Sequence, residues 1–165
     1  MLLKELLLNE FDQEVKTTQK MLERVPDDNF DWKPHPKSMS IKQLSTHIAE
    51  LPSWMTMAIN TNELDFAKSD YKPAPIKNRK ELLDYFEENV RKGRASLENV
   101  KEEQLAETWI MRSGETIYMK GTKGGVIRIS ISQTIHHRAQ LGVFLRLLDI
   151  PIPGSYGPSA DDASF

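Results

Sequence analysis

The spacing of its apolar residues constrains this chain most. Leu3, Leu6, Leu7, Phe11, Val15, Thr18, Met21 and Leu22 follow one another at the three- and four-residue steps of an amphipathic helix. The period returns at Leu44, His47, Ile48, Leu51, Trp54, Met55 and Ala58, then at Leu82, Leu83, Phe86, Val90 and the methylenes of Arg94. It returns last at Ile127, Ile131, Thr134, Ile135, Arg138, Leu141, Leu145 and Leu148. Helical stripes with almost no strand signal predict an all-α fold, a four-helix bundle with long connections.

Punctuation sets the expected boundaries. The first helix ends near Arg24, because Pro26 disfavours helix at the residue before it. Residues 25–38, with Pro26, Pro34 and Pro36, read as a connector. Ser40 and Gln43 form a capping box that starts the second helix at Ile41. Pro52 removes a backbone donor inside that helix and predicts a kink. Residues 61–77 form a second connector, and Asn78 with Glu81 caps a third helix from Arg79 to Leu97. Thr108–Met111 and Thr116–Met119 flank Arg112-Ser113-Gly114-Glu115 and suggest a small hairpin before the last helix, with Gly114 at positive φ. Gly121, Gly124 and Gly125 mark a flexible approach to a final helix over Val126–Leu148, which Pro151 and Pro153 end. Connections this long argue against simple up-down-up-down wiring.

At 165 residues the chain reads as one domain, 1–165, able to bury about 70% of its unfolded surface. A net charge of −2 leaves no nucleic-acid footprint. No apolar run reaches the roughly 18 residues of a membrane span. Met1-Leu2-Leu3-Lys4-Glu5 mixes charge into its apolar start, unlike a secretory signal. The absence of cysteine removes disulfides, thiolate ligands and a cysteine nucleophile, and suits a cytoplasmic protein.

The histidines are His35, His47, His136 and His137. His47 lies on or beside the apolar face of the second helix. His136 and His137 are adjacent in the last helix and point about 100° apart, so both cannot ligate one ion without distortion. Gln133, His137, Gln140 and Phe144 share a polar stripe beside the core stripe. If that stripe faces a cavity, His47 and His137 converge on a divalent ion and Gln133 adds a weak oxygen donor. Two or three protein ligands leave positions open for water or substrate. The plainer alternative makes both imidazoles hydrogen-bonded core groups, His136 a surface group and His35 an exposed one. Trp32, Trp54 and Trp109 read as core, and the acidic runs Glu87-Glu88 and Glu102-Glu103 as solvated faces.

Asp31-Trp32-Lys33-Pro34-His35-Pro36-Lys37-Ser38, followed by Leu44-Ser45-Thr46-His47-Ile48-Ala49, resembles the second-helix signature of DinB-like proteins. Gln133-Thr134-Ile135-His136-His137-Arg138-Ala139-Gln140-Leu141 resembles their fourth-helix signature, and the tail from Pro151 to Asp161 is similar to one branch of the family. The resemblance implies a four-helix bundle, often a homodimer. It also implies a divalent metal, commonly zinc or nickel, held by one histidine of the second helix and two histidines four apart on the fourth. His47 and His137 match the first and last of these positions. The remaining position is Gln133, whose amide oxygen is a poorer partner for such a metal.

Characterised relatives include enzymes that transfer low-molecular-weight thiols or use them in isomerisation. The resemblance therefore implies a metal-dependent enzyme of the thiol-transferase type, with a thiol and a small electrophile as substrates. Arg138 or Gln140 would orient the ligands. The alternative is a non-catalytic dimer or small-ligand-binding bundle with a degenerate metal site. A hydrolase using metal-activated water is a third reading, with Glu50 the nearest acid or base.

Overall fold

The computed structural model describes residues 2–163. Helix α1 covers Leu3–Leu22, α2 Ile41–Glu50, α3 Ser53–Asn60, α4 Arg79–Asn99 and α5 Lys123–Leu147. Strands β1 (Glu63–Asp65), β2 (Thr108–Ser113) and β3 (Thr116–Thr122) form a mixed sheet in the order β1-β2-β3. The all-α four-helix bundle expected from the sequence is therefore corrected to five helices and a three-stranded sheet. No described helix is long and apolar enough to cross a membrane.

The fifth helix comes from Pro52. At the position where the sequence predicts a kink, the chain divides into α2 and α3. Its backbone stays right-handed, yet Trp54 N bonds Leu51 O at 3.0 Å and Met55 N bonds Pro52 O at 3.3 Å, the tighter three-residue pattern. Neighbouring helices bind the carbonyls at this break. Asn89 Nδ2 of α4 donates to Ala49 O at 3.0 Å, and Ser130 Oγ of α5 donates to Leu51 O at 2.7 Å. Gly93 of α4 lets the break approach, because a Cβ there would sit 2.3 Å from Pro52 O. Both α2 and α3 pack on α4 and α5, as α1 does.

The second connector supplies β1, which joins the hairpin of β2 and β3. β1 runs parallel to β2, pairing Glu63 with Ile110 and Asp65 with Arg112. β2 and β3 are antiparallel, with a register shift at Met111/Arg112 and Gly114 at φ 57° in the turn. Asp65 Oδ1 accepts from Gly114 N at 2.9 Å and from Ala67 N at 3.1 Å. These N–H groups, Gly114's foremost, hold its carboxyl below the usual range.

Local capping follows the sequence. Ser40 Oγ accepts from Gln43 N, Gln43 Oε1 accepts from Ser40 N, and Asn78 Oδ1 accepts from Glu81 N. The flexible glycine approach to the last helix is corrected. Thr122 caps α5 by accepting from Gly125 N at 3.1 Å, so Gly124 and Gly125 lie in its first turn.

The core has two lobes. One joins Met21, Leu44, Ile48, Leu82, Phe86 and Leu141, and the other joins Phe11, Met55, Leu97, Trp109, Ile127 and Ile131. Buried polar residues, Glu14, Thr18, Asn89, Ser130, Thr134 and Arg138 among them, belong to the same helices.

Candidate functional site

His47 and His137 meet. His47 stands on α2 one turn before the Pro52 break, and His137 on α5, which carries both core lobes. Their ring centroids are 4.9 Å apart with planes at 73°, and both residues are half-buried. His136 is exposed, its ring 4.9 Å from that of His137. His35 is exposed, its Nδ1 accepting from Lys37 N at 3.1 Å.

The partners of the two rings differ. His137 Nδ1 lies 2.9 Å from Gln140 Oε1. An amide oxygen only accepts, so this contact keeps the proton on Nδ1 and leaves the Nε2 lone pair free. Burial lowers the His137 pKa most; the Gln140 contact opposes this, while the other two imidazoles add to it. His47 Nδ1 is 3.8 Å from Glu50 Oε2, and that oxygen accepts from the Tyr71 hydroxyl at 2.8 Å. Desolvation first, and Glu50 next, push the Tyr71 phenol up to about 12, so it remains a donor at neutral pH.

His47 faces a cavity of about 470 Å³, within the range of about 300–1,000 Å³ usual for small-molecule sites. Trp54, Leu64, Phe66 and Tyr71 make its walls largely apolar, while Lys42 and Glu50 bring charge. Trp54 packs edge-on to His47 at 6.0 Å, so this tryptophan lines the site rather than filling the core. Trp109 is fully buried and donates to Thr61 Oγ1.

Of the ligands expected from the sequence, His47 and His137 come together. Gln133 lies half-buried one turn before His137, and its amide makes no hydrogen bond among the described residues. No group of three or more His, Asp or Glu side chains among the described residues is placed to hold one ion. The imidazoles of His47 and His137 are of the donor type that suits a borderline divalent ion, whereas an amide oxygen such as that of Gln133 suits it less. Of Gln140 and Arg138, Gln140 is the one that contacts the His137 ring. Arg138 turns away to α1, where it donates to Glu14 Oε2 at 2.6 Å and Thr18 Oγ1 at 3.0 Å.

Sequence reasoning missed Lys42, Thr46 and Tyr71. Lys42 and Thr46 precede Glu50 at four-residue steps on α2, a stripe that periodicity offered. Tyr71 sits in an irregular connector and gave no local signal.

The architecture occurs in solved structures. A DinB-like protein from Bacillus subtilis is 21% identical, with a TM-score of 0.70 over 90% of this chain and 96% of that one. A DinB-like protein from Bacillus cereus is 17% identical, with a TM-score of 0.70 over 90% and 94%. A mycothiol-dependent maleylpyruvate isomerase is 13% identical, with a TM-score of 0.58 over 84% of this chain and 60% of that one. No curated protein matches the chain. The DinB family model matches residues 1–164, and the chain belongs to the DinB family.

Proposed function

We propose that this protein is a divalent-metal-dependent enzyme that joins a low-molecular-weight thiol to a small electrophile. His47 and His137 hold the ion, and Gln133 contributes a third, weaker donor. The observation that carries this reading is the 4.9 Å approach of the two imidazoles, one of which faces a cavity of small-molecule size. The likeness in fold to a mycothiol-dependent isomerase supports the thiol chemistry by analogy.

A bound divalent ion supplies Lewis-acid stabilisation of a thiolate at neutral pH. The residues of this chain do the rest. Gln140 holds the His137 ring and keeps its Nε2 deprotonated. The hydrogen-bonded Tyr71–Glu50 pair sets a carboxylate 3.8 Å from His47 Nδ1. Trp54, Leu64 and Phe66 exclude water from the electrophile. The thiol proton leaves to solvent, the sulfur pair forms the new S–C bond, and the leaving group departs with its own bonding pair.

Elemental analysis of protein purified without chelator tests this, together with thermal shifts on adding zinc or nickel. Stoichiometric metal and a shift that His47→Ala and His137→Ala each abolish are expected. Absence of both metal and shift would overturn the proposal.

Gln133 favours a second reading, a small-ligand-binding bundle with a degenerate site. If Gln133→His turns a metal-free protein into a tight metal binder, the second reading holds. Unchanged stoichiometry and affinity count against it.

A further inference from the structure

The same cavity also carries a specificity signal separate from the ion. Lys42 is half-buried in its wall, and its ammonium makes no ion pair or hydrogen bond among the described residues. A cation against apolar walls is stabilised when an anion shares its site. Thr46, one turn on and also lining the cavity, is only 6% exposed, and its Oγ1 has no hydrogen-bond partner among the described residues. A buried hydroxyl left unpaired is unfavourable, and threonine in a helix has two accessible χ1 rotamers, so a second orientation is open to it. The acid on the same stripe, Glu50, is engaged by Tyr71 and lies beside His47. The remaining wall is Trp54, Leu64 and Phe66.

We infer that this cavity binds a small amphipathic carboxylate, with its carboxylate on Lys42 and Thr46 and its apolar body against Trp54, Leu64 and Phe66. The inference deepens the proposed function by naming the class of its second substrate. From that reading it takes only the location, because the recognition uses no metal ligand. Charge complementarity selects a monoanion, since one unpaired cation faces the cavity. A planar carboxylate has two oxygens, which suits an ammonium and a hydroxyl placed four residues apart on one helix face.

Isothermal titration calorimetry on the full chain tests this with phenylbutyrate and its neutral amide, its alcohol and its amine analogue, with and without zinc. The carboxylate is expected to bind about tenfold more tightly than the amide or alcohol. Lys42→Met should remove that tenfold preference, Lys42→Arg should keep most of it, and Thr46→Val should lower carboxylate affinity by a smaller factor. Equal binding of carboxylate and amide overturns the inference, as does preference for the amine or no binding by any probe. An unchanged preference in folded Lys42→Met also overturns it. Should Lys42→Met fail to fold, the ligand series on the wild-type chain decides alone. His137 lies outside the cavity wall, so His137→Ala should abolish zinc binding and leave the carboxylate preference intact. Loss of the ion site and loss of the carboxylate site are thereby read separately.

Discussion

His137 and Arg138 are consecutive on α5 and end in opposite circumstances. Arg138, 2% exposed, faces α1 and is paired throughout: with Glu14 and Thr18, with Ser155 Oγ at 3.3 Å, and with the Tyr156 ring 5.6 Å away. Tyr156 closes the cluster by donating to Glu14 Oε1 at 2.5 Å. A hollow of about 490 Å³ borders Arg138 under the C-terminal tail, yet the guanidinium is already satisfied. His137 faces α2, half-buried, with Nδ1 engaged by Gln140 and its ring 4.9 Å from that of His47. A polar group that completes its bonds within the fold stabilises the fold. One that keeps a ring nitrogen unengaged has capacity left for a ligand. The helical twist of about 100° per residue separates the two roles.

The largest expected effect breaks the saturated side. Arg138→Ala leaves the Glu14 carboxylate buried without its counter-charge, which should cost about 3–5 kcal/mol in urea denaturation. Replacing both partners, Arg138→Met with Glu14→Leu, should recover most of that loss, because no uncompensated charge remains. A small effect of Arg138→Ala alone would mean that the cluster is wetter than its burial indicates.

Gly93→Ala challenges the Pro52 break that follows the His47 turn. A Cβ would meet the Pro52 carbonyl at 2.3 Å, so α3 or α4 must shift, with a loss of about 1–3 kcal/mol by the same measurement. Unchanged stability would mean that the break floats free of α4.

The open side should behave oppositely. His47→Ala and His137→Ala should each change the stability of metal-free protein by less than about 1 kcal/mol while removing any zinc- or nickel-induced thermal shift. A loss as large as that of Arg138→Ala would place the histidines in the structural class and end the comparison.

The smallest effect is a slope with pH. The His137 pKa lies below its ordinary value in the fold, chiefly through burial. As pH falls below the ordinary histidine value of about 6.5, the unfolded chain takes up a proton that the folded one resists. The contribution of this group is therefore complete above that pH and is lost as pH falls through the lowered folded value. Denaturation of chelator-treated protein between neutral and mildly acid pH should show this decline, and His137→Gln should flatten it. An unaltered slope in the variant would assign the decline to other groups.

Much of the scaffold was legible because its signals act within a turn or two. The Ser40–Gln43 and Asn78–Glu81 caps are contacts over three residues, and each formed as its local chemistry required. The stripe containing His137 announced a polar face, and the resemblance pointed its imidazole at that of His47. Pro52 showed in the sequence that a donor was missing. The outcome depended on Asn89, Gly93 and Ser130, which bind or admit the exposed carbonyls from other helices.

The sequence alone determined where helices form and which faces are apolar, since a 3.6-residue period and capping side chains are local information. Tertiary structure decided the rest. β1 exists because Asp65 meets a backbone N–H 49 residues away, and Tyr71 enters the cavity because Glu50 on α2 accepts its hydroxyl. Arg138 became structural when Glu14 arrived from α1. Pairings across such separations form only after chain closure, so residue spacing carries no trace of them.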